Sequence, residues 1–426
     1  MRGGSGGSGQ SGVTVRGCTG VGNALGRHGG GPDSGEGVSG FDMDSARMIG
    51  PGAVLLDFLT GRVGAQEGSA VQAAATLTVA IDNLPQIAAA YSQAAADRLL
   101  QEIRRRIGAG LDIGVWEPSP EASGMTLRAP AGRIAAAARA DLEWCVEACA
   151  LRPVDIGGER VVAALSLRGR PAAGQAEAGP FDAALYRADM RHAASAYAAI
   201  ASGRALFAEQ PVAGIAGGAE LYRECLLRLT DGQGRRLLPG DVVPALERLG
   251  LTRAFDRQVV RKLVGELRRR PGDVLGCNIS ALSAANDFWW ASLLSELSLD
   301  RPLAARLVIE ITPTAAVPDM PEAVAFVAAL RATGARVALD GFGVRVNTIA
   351  FAHQGTIDII KIDSSYLHLS RTDEGRLLGH LALLARDLAD EVVVEGVESE
   401  ADLQLASGAG ARWAQGHHIT PAGEDF

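Results

Sequence analysis

Six short apolar runs in the C-terminal half of the chain each carry an acid, an amide or an ammonium. They read E-C-L-L-R (Glu224 to Arg228), G-C-N-I-S with Asn278, L-V-I-E-I-T with Glu310, V-A-L-D with Asp340, D-I-I-K-I-D with Lys361 and V-V-V-E with Glu395. Gln415, followed by Gly416, adds a further amide. Three or more acids and an amide oxygen gathered in one place make a hard-cation site of the Mg²⁺ or Mn²⁺ type. A single Asp or Glu at a strand end is ordinarily a helix cap or a solvated loop residue. Independent caps do not explain acids at nearly every strand end, inside runs as apolar as V-V-V-E-G. The joint pattern predicts a site.

The elements that must hold these groups follow from the same runs. Each is strand-length, rich in Val, Ile and Leu, and followed by a loop or a helix-like stretch. Repeated strand-then-helix units predict a mainly parallel sheet. Closed into a barrel, such a sheet brings its C-terminal strand ends to one face, where the chemistry sits. The expected fold class is α/β: a TIM-like (β/α) barrel preceded by a smaller α/β domain.

At these residues the sequence resembles the EAL family, the phosphodiesterases and receptors of the bacterial second messenger cyclic di-GMP. The family's name motif with its Leu-Arg matches Glu224-Cys225-Leu226-Leu227-Arg228, and Gln210-Pro211 matches the first strand. Pro239 to Leu251 (PGDVVPALERLGL) looks like the segment after the first strand. Asn278, Glu310, Asp340, Lys361-Ile362-Asp363, Glu395-Gly396-Val397-Glu398 and Gln415-Gly416 complete the series in order, over about Ala205 to Pro421.

The resemblance implies roles. Glu224, Asn278, Glu310 and Asp340 would hold one divalent cation. A second would be held by that Asp, by the residue after it, and by Glu395, as in two-metal hydrolysis of a phosphodiester. Lys361 would position or polarise the attacking water. Arg228 would meet a phosphate or the guanine through its directional fork, and Gln415 would position the ligand or the metal-bound shell. One departure falls on this chemistry. The family's Asp-Asp-Phe-Gly reads Asp340-Gly341-Phe342-Gly343, so the second-metal Asp has no side chain. Loss of even an outer metal partner commonly costs about 10–100-fold. The loop that follows reads V-R-V-N-T (Val344 to Thr348), and an acid three residues after the metal Glu is replaced by Pro313.

Three functions stay open on this sequence. One is a cyclic di-GMP receptor with weak or no phosphodiesterase activity. Another is a working Mg²⁺- or Mn²⁺-dependent phosphodiesterase that yields the linear dinucleotide. The third is a protein-interaction scaffold that binds no nucleotide.

The middle of the chain, residues 51–186, is similar to the GGDEF diguanylate-cyclase pattern. Asp82, Ile87, Tyr91, Asp97, Leu99 and Leu100 fall on matching positions, and Asp182 to Ala188 resembles that family's closing helix. Ala80, Ala88 and Ala89 replace its polar residues, and Trp116 to Gly124 (WEPSPEASG) replaces its glycine turn. Pro118 and Pro120 cannot make that turn. The segment implies a retained scaffold without a GTP site, with a generic α/β sensor domain as the alternative. An Ala-rich stretch, residues 187–204, predicts a connecting helix ending near Gly203, and the barrel domain then runs over 205–426.

Composition fits two folded domains. Residues 1–50 are Gly- and Ser-rich, which predicts either a disordered tether or a true start at Met43 or Met48. A formal charge of −8 without a basic block argues against bulk DNA or RNA binding. Five cysteines (Cys18, Cys145, Cys149, Cys225, Cys277) show no paired framework, as in a reducing cytoplasm. No apolar run of about 18 residues predicts a membrane span, and no export signal opens the chain. A cytoplasmic protein is expected, with pairing of two barrels and any protein partner left open.

Overall fold

A computed structural model of the chain describes residues 76–111, 117–121, 123–128, 133–168, 181–313, 317, 319–344, 347–372 and 375–419. The Gly/Ser-rich segment 1–50, Met43, Met48 and Cys18 lie outside the described residues. So do Trp116 and two residues, 345 and 346, of the Val344–Thr348 loop.

The smaller region contains β1 (Thr76–Ile81), β2 (Glu117–Glu121), β3 (Gly124–Arg128), β4 (Val154–Asp155), β5 (Arg160–Val161) and β6 (Leu165–Arg168). Strands β2, β3, β1 and β6 form one antiparallel sheet in that order, and β4 and β5 pair as a short ribbon. The proline-bearing stretch is therefore a strand. It tolerates Pro118 and Pro120 because β2 lies at the sheet edge, where a missing donor is harmless. Its partner strand starts at Gly124, where a Cβ would fall 2.0 Å from the Val79 carbonyl oxygen.

Helix Gln93–Gly110 begins at Ser92, whose side chain accepts from the Ala95 amide. It buries Ala96, Leu99, Leu100, Ile103 and Ile107 at helical spacing. The connecting helix is longer than its Ala-rich stretch, running from Ala183 to Ala201. Asp182 accepts from the amides of Ala184 and Leu185, which fixes the start ahead of residue 187. Asp182–Ala188 and the linker are thus one helix, and Gly203, at φ +72°, lets the chain turn just past its end.

Side-chain contacts among the described residues join this region to the barrel. Asp189 pairs with Arg248 in fork geometry at 2.7 and 2.8 Å. The Tyr197 hydroxyl donates to the Leu251 carbonyl at 2.7 Å. Glu147 meets the buried Arg257 at 2.6 Å.

The barrel uses β7 (Ala205–Gly214), β8 (Glu220–Thr230), the short β9 (Arg236–Leu237), β10 (Leu275–Ser280), β11 (Leu307–Thr312), β12 (Arg336–Phe342), β13 (Ile357–Ile362), β14 (Ala389–Val394) and β15 (Trp413–Ala414). The order β10 to β15, then β7 and β8, closes on itself because β8 also pairs with β10. This is an α/β fold with an eight-stranded closed barrel, as the strand-then-helix pattern predicts. It is not wholly parallel: β7 runs antiparallel to both of its neighbours, β8 and β15. The segment Pro239–Leu249 is a helix and follows the second barrel strand.

Candidate functional site at the barrel rim

The barrel interior below the site is filled by Val212, Tyr222, Val308, Ala338, Ile359, Val393 and Trp413. Side chains on a strand return to the same face every second residue. Two residues toward the C-terminal end from six of these seven stand Glu224, Glu310, Asp340, Lys361, Glu395 and Gln415. On the antiparallel β7 the direction reverses, and two residues before Val212 stands Gln210. The apolar plug and the polar layer are therefore consecutive storeys of one barrel.

Lys361 is at the centre of the polar storey. Its ammonium lies 2.8 Å from Glu224 Oε2, 2.6 Å from Glu310 Oε2 and 2.9 Å from Glu395 Oε1. Asn278 Nδ2 donates to Glu224 Oε1 at 2.5 Å, and Gln415 Nε2 donates to Glu224 Oε2 at 2.7 Å and to Gln210 Oε1 at 3.1 Å. Thr312 Oγ1 lies 2.7 Å from Asn278 Oδ1 and 3.2 Å from Asp340 Oδ2, tying those two strands together. Seven of the eight residues proposed from the sequence thus share one network. The eighth, Arg228, is half-buried on the wall of an adjoining cavity of about 280 Å³, and its only hydrogen bond among the described residues goes to the Leu227 carbonyl.

Electrostatics distinguish the acids. Burial opposes ionisation of Glu224, but Lys361 and the bonds from Gln415 and Asn278 outweigh it and hold the carboxyl below its ordinary range. Glu310, fully buried and facing Glu224, is pushed up to about 8 despite Lys361. Burial likewise raises Glu395. Burial disfavours the Lys361 ammonium, yet three neighbouring acids more than compensate and raise its pKa.

Strand β10 has a glycine where its neighbours have bulk. A Cβ on Gly276 would lie 2.8 Å from the Tyr222 ring and 3.0 Å from Glu310 Oε1. Gly276→Ala is expected to destabilise the chain by about 1–3 kcal/mol through overpacking, read as a lower urea midpoint. An unchanged midpoint would mean that the ring and the carboxylate have room to move.

The adjoining cavity lies between β8, β10 and the helices Pro239–Leu249 and Thr252–Arg269, with Val242, Leu246 and Phe255 among its apolar lining. Asp256, buried and pushed up to about 7 by that burial, accepts from the Ser280 amide at 2.9 Å and from the Ser283 hydroxyl at 2.6 Å. Ser280 Oγ donates to Glu247 at 2.7 Å. These bonds pin the chain two residues beyond Asn278.

Just after Gly341, hydrogen bonds hold the chain at Gly343. Gly341 has φ +68° and sits at a register shift between Leu339 and Phe342. The Gly343 amide donates to Thr348 Oγ1 at 3.3 Å, and the Tyr366 hydroxyl donates to the Gly343 carbonyl at 2.8 Å. Motif matching alone does not single out Gln210, Thr312, Tyr222 or Gly276 as parts of the site. The period-two relation to the plug residues would have found Gln210 and Tyr222.

The family model described as "EAL domain" matches residues 193–422. The chain is 29% identical over 222 residues to the protein named cyclic di-GMP phosphodiesterase PdeL of Escherichia coli K12, covering 50% of this chain and 60% of that protein. It is 29% identical over 214 residues to an uncharacterized signaling protein of Caulobacter vibrioides, covering 49% of this chain and 26% of the relative. Among solved structures, a Vibrio cholerae LapD S helix-GGDEF-EAL structure bound to c-di-GMP is 16% identical with a TM-score of 0.49, over 86% of this chain and 92% of that one. A PaMucR phosphodiesterase–c-di-GMP complex is 23% identical with a TM-score of 0.46, over 52% and 93%.

Proposed function

Because the chain belongs to the EAL domain family, we propose that its barrel rim binds cyclic di-GMP and hydrolyses it slowly or not at all. One observation carries this: Glu224, Asn278, Glu310, Asp340, Lys361, Glu395 and Gln415 share one network beside a cavity whose wall presents Arg228. Arg228 has no carboxylate partner among the described residues, so its fork is available to a phosphate or a guanine edge. The apolar wall at Val242 and Phe255 suits a flat base.

The donor set fits a divalent cation. Glu310 Oε1 is buried without a partner among the described residues, and Asn278 Oδ1 and Asp340 Oδ2 face the same threonine hydroxyl. Glu224, Asn278, Glu310 and Asp340 are the oxygen-bearing residues that would hold Mg²⁺ or Mn²⁺. When bound, the cation would polarise the phosphodiester and acidify a water. Gln415 fixes the Glu224 carboxylate, Thr312 fixes the Asn278 amide, and Glu395 stays beside Lys361. Gly341 offers no carboxylate for a second cation, which favours the receptor. The full acid set favours a slow phosphodiesterase as the second reading.

Titrating the full chain with cyclic di-GMP, with and without Mg²⁺, is expected to give a Kd near 1 μM or tighter, about −8 kcal/mol. Arg228→Ala should weaken it clearly. Neither heat nor thermal shift at about 100 μM ligand, two decades above that Kd, would leave the nucleotide-free scaffold standing.

For the smaller region we infer a diguanylate-cyclase-like scaffold without a nucleotide site. The order strand, two helices, hairpin, helix, short ribbon and strand supports it, as do Ala80 buried on β1 and the alanines at 88 and 89. Purified protein given GTP and Mg²⁺ is expected to make no cyclic di-GMP; product above the no-enzyme background would overturn this assignment.

A further inference from the structure

The chain contains two lysines against thirty-nine arginines. Lys262 sits on helix Thr252–Arg269, over the Phe207 ring and near Glu266. Lys361 is the other, 1% exposed, with three carboxylates within 2.9 Å of its nitrogen. A chain that otherwise supplies its cations almost wholly as arginine places its one buried ammonium among these acids. An ammonium is a compact point charge that three acids can surround, whereas a planar guanidinium would not fit between them.

We propose that the Lys361 ammonium is the resident counter-ion of the rim and competes with a divalent cation for Glu224, Glu310 and Glu395. This rests on the metal reading above and adds what sets the affinity of that site. Two of the carboxylates that Lys361 engages, Glu224 and Glu310, belong to the oxygen set a cation would need. The ammonium lies between Glu224, Glu310 and Glu395, within 2.9 Å of a carboxylate oxygen of each. Asn278 also turns its Nδ2, not its oxygen, toward Glu224. The ammonium thus already engages carboxylates that a metal ion would need. Four acids near one point would otherwise repel one another strongly in so buried a place. A divalent ion must share or displace the ammonium's hold on at least one carboxylate, and like charges at that range oppose it.

The test is Mn²⁺ titration of the full chain by calorimetry, for wild type and for Lys361→Met. The expected result is at least tenfold tighter Mn²⁺ binding by the variant. Its melting temperature without metal should fall below that of wild type and be regained with Mn²⁺. Wild type binding Mn²⁺ as tightly as the folded variant, or more tightly, overturns the competition while leaving the metal reading intact. Absence of Mn²⁺ binding in both proteins overturns the two together. If Lys361→Met does not fold, wild type labelled with ¹⁵N-lysine gives the answer, since only two Nζ signals exist. The buried Lys361 signal should move on adding Mg²⁺ while that of Lys262 stays. A stationary Lys361 signal under Mg²⁺ that calorimetry shows to be bound overturns the proposal.

Discussion

Gly341→Asp is expected to raise hydrolysis of cyclic di-GMP more than tenfold over a slow or undetectable wild-type rate. Asp340, the preceding residue, is tied through Thr312 to Asn278, and Glu395 is held 2.9 Å from Lys361 in the same network. One added carboxylate would complete a set able to hold a second cation, and one decade in rate is about 1.4 kcal/mol of barrier. The backbone opposes this gain. Gly341 is buried at φ +68°, where an L-residue costs about 1–2 kcal/mol, with Asp and Asn the best tolerated of the non-glycine residues. The variant should therefore unfold at a slightly lower temperature while turning over faster. Hydrolysis assayed with Mg²⁺ and with Mn²⁺, alongside a melting curve, separates the two effects. A gain below tenfold would put a further block in the Pro313 replacement and the loop after Gly343. A wild-type rate already at ordinary enzyme levels, and unimproved by the substitution, would sink the degenerate-site proposal.

Much of this site is legible in the sequence because β-strands repeat every two residues. A run such as V-V-V-E places Val393 in the plug and Glu395 on the rim whatever the rest of the chain does. The barrel follows from the same runs, since buried parallel strands are near-continuous apolar stretches. What the runs do not carry is relative height and partner choice. That Lys361 would bridge Glu224, Glu310 and Glu395 depends on how β8, β11, β13 and β14 are staggered, a property of closure. The reversal of β7 is hidden for a related reason: antiparallel and parallel strands share the same alternation, and only the short connection from Gly214 to Glu220 hints at a hairpin. The edge position of β2 explains why its prolines read as a broken turn while the chain forms a strand there. The contacts between the smaller region and the barrel are long-range pairs, invisible to any local pattern.

The strongest of those contacts gives the other large expected effect: Glu147→Ala should lower stability by about 3–5 kcal/mol, the range for orphaning a buried charge. Arg257 is fully buried on helix Thr252–Arg269, and its Nε and Nη1 have no partner among the described residues. Its Nη2 meets Glu147 at 2.6 Å and Ser292 Oγ at 2.5 Å. Burial pulls the guanidinium down to about 10 although Glu147 opposes this, and burial raises the Glu147 carboxyl although Arg257 opposes that. Each charge is thus tolerated because of the other. The pair itself is weak evidence for stability, since a buried ion pair often gives way to apolar side chains without loss. The double variant Glu147→Leu with Arg257→Met should accordingly be closer to wild type than Glu147→Ala, as measured by urea unfolding. A loss under about 1 kcal/mol in Glu147→Ala, typical of an exposed pair, would mean that the guanidinium reaches water and that the pair does not join the two regions. The position matters for the rim as well. Helix Thr252–Arg269 carries both Arg257 and Asp256, and Asp256 pins Ser280 beyond Asn278. Releasing Arg257 should therefore loosen the segment that fixes Asn278, so cyclic di-GMP binding is expected to weaken in Glu147→Ala and to recover in the double variant.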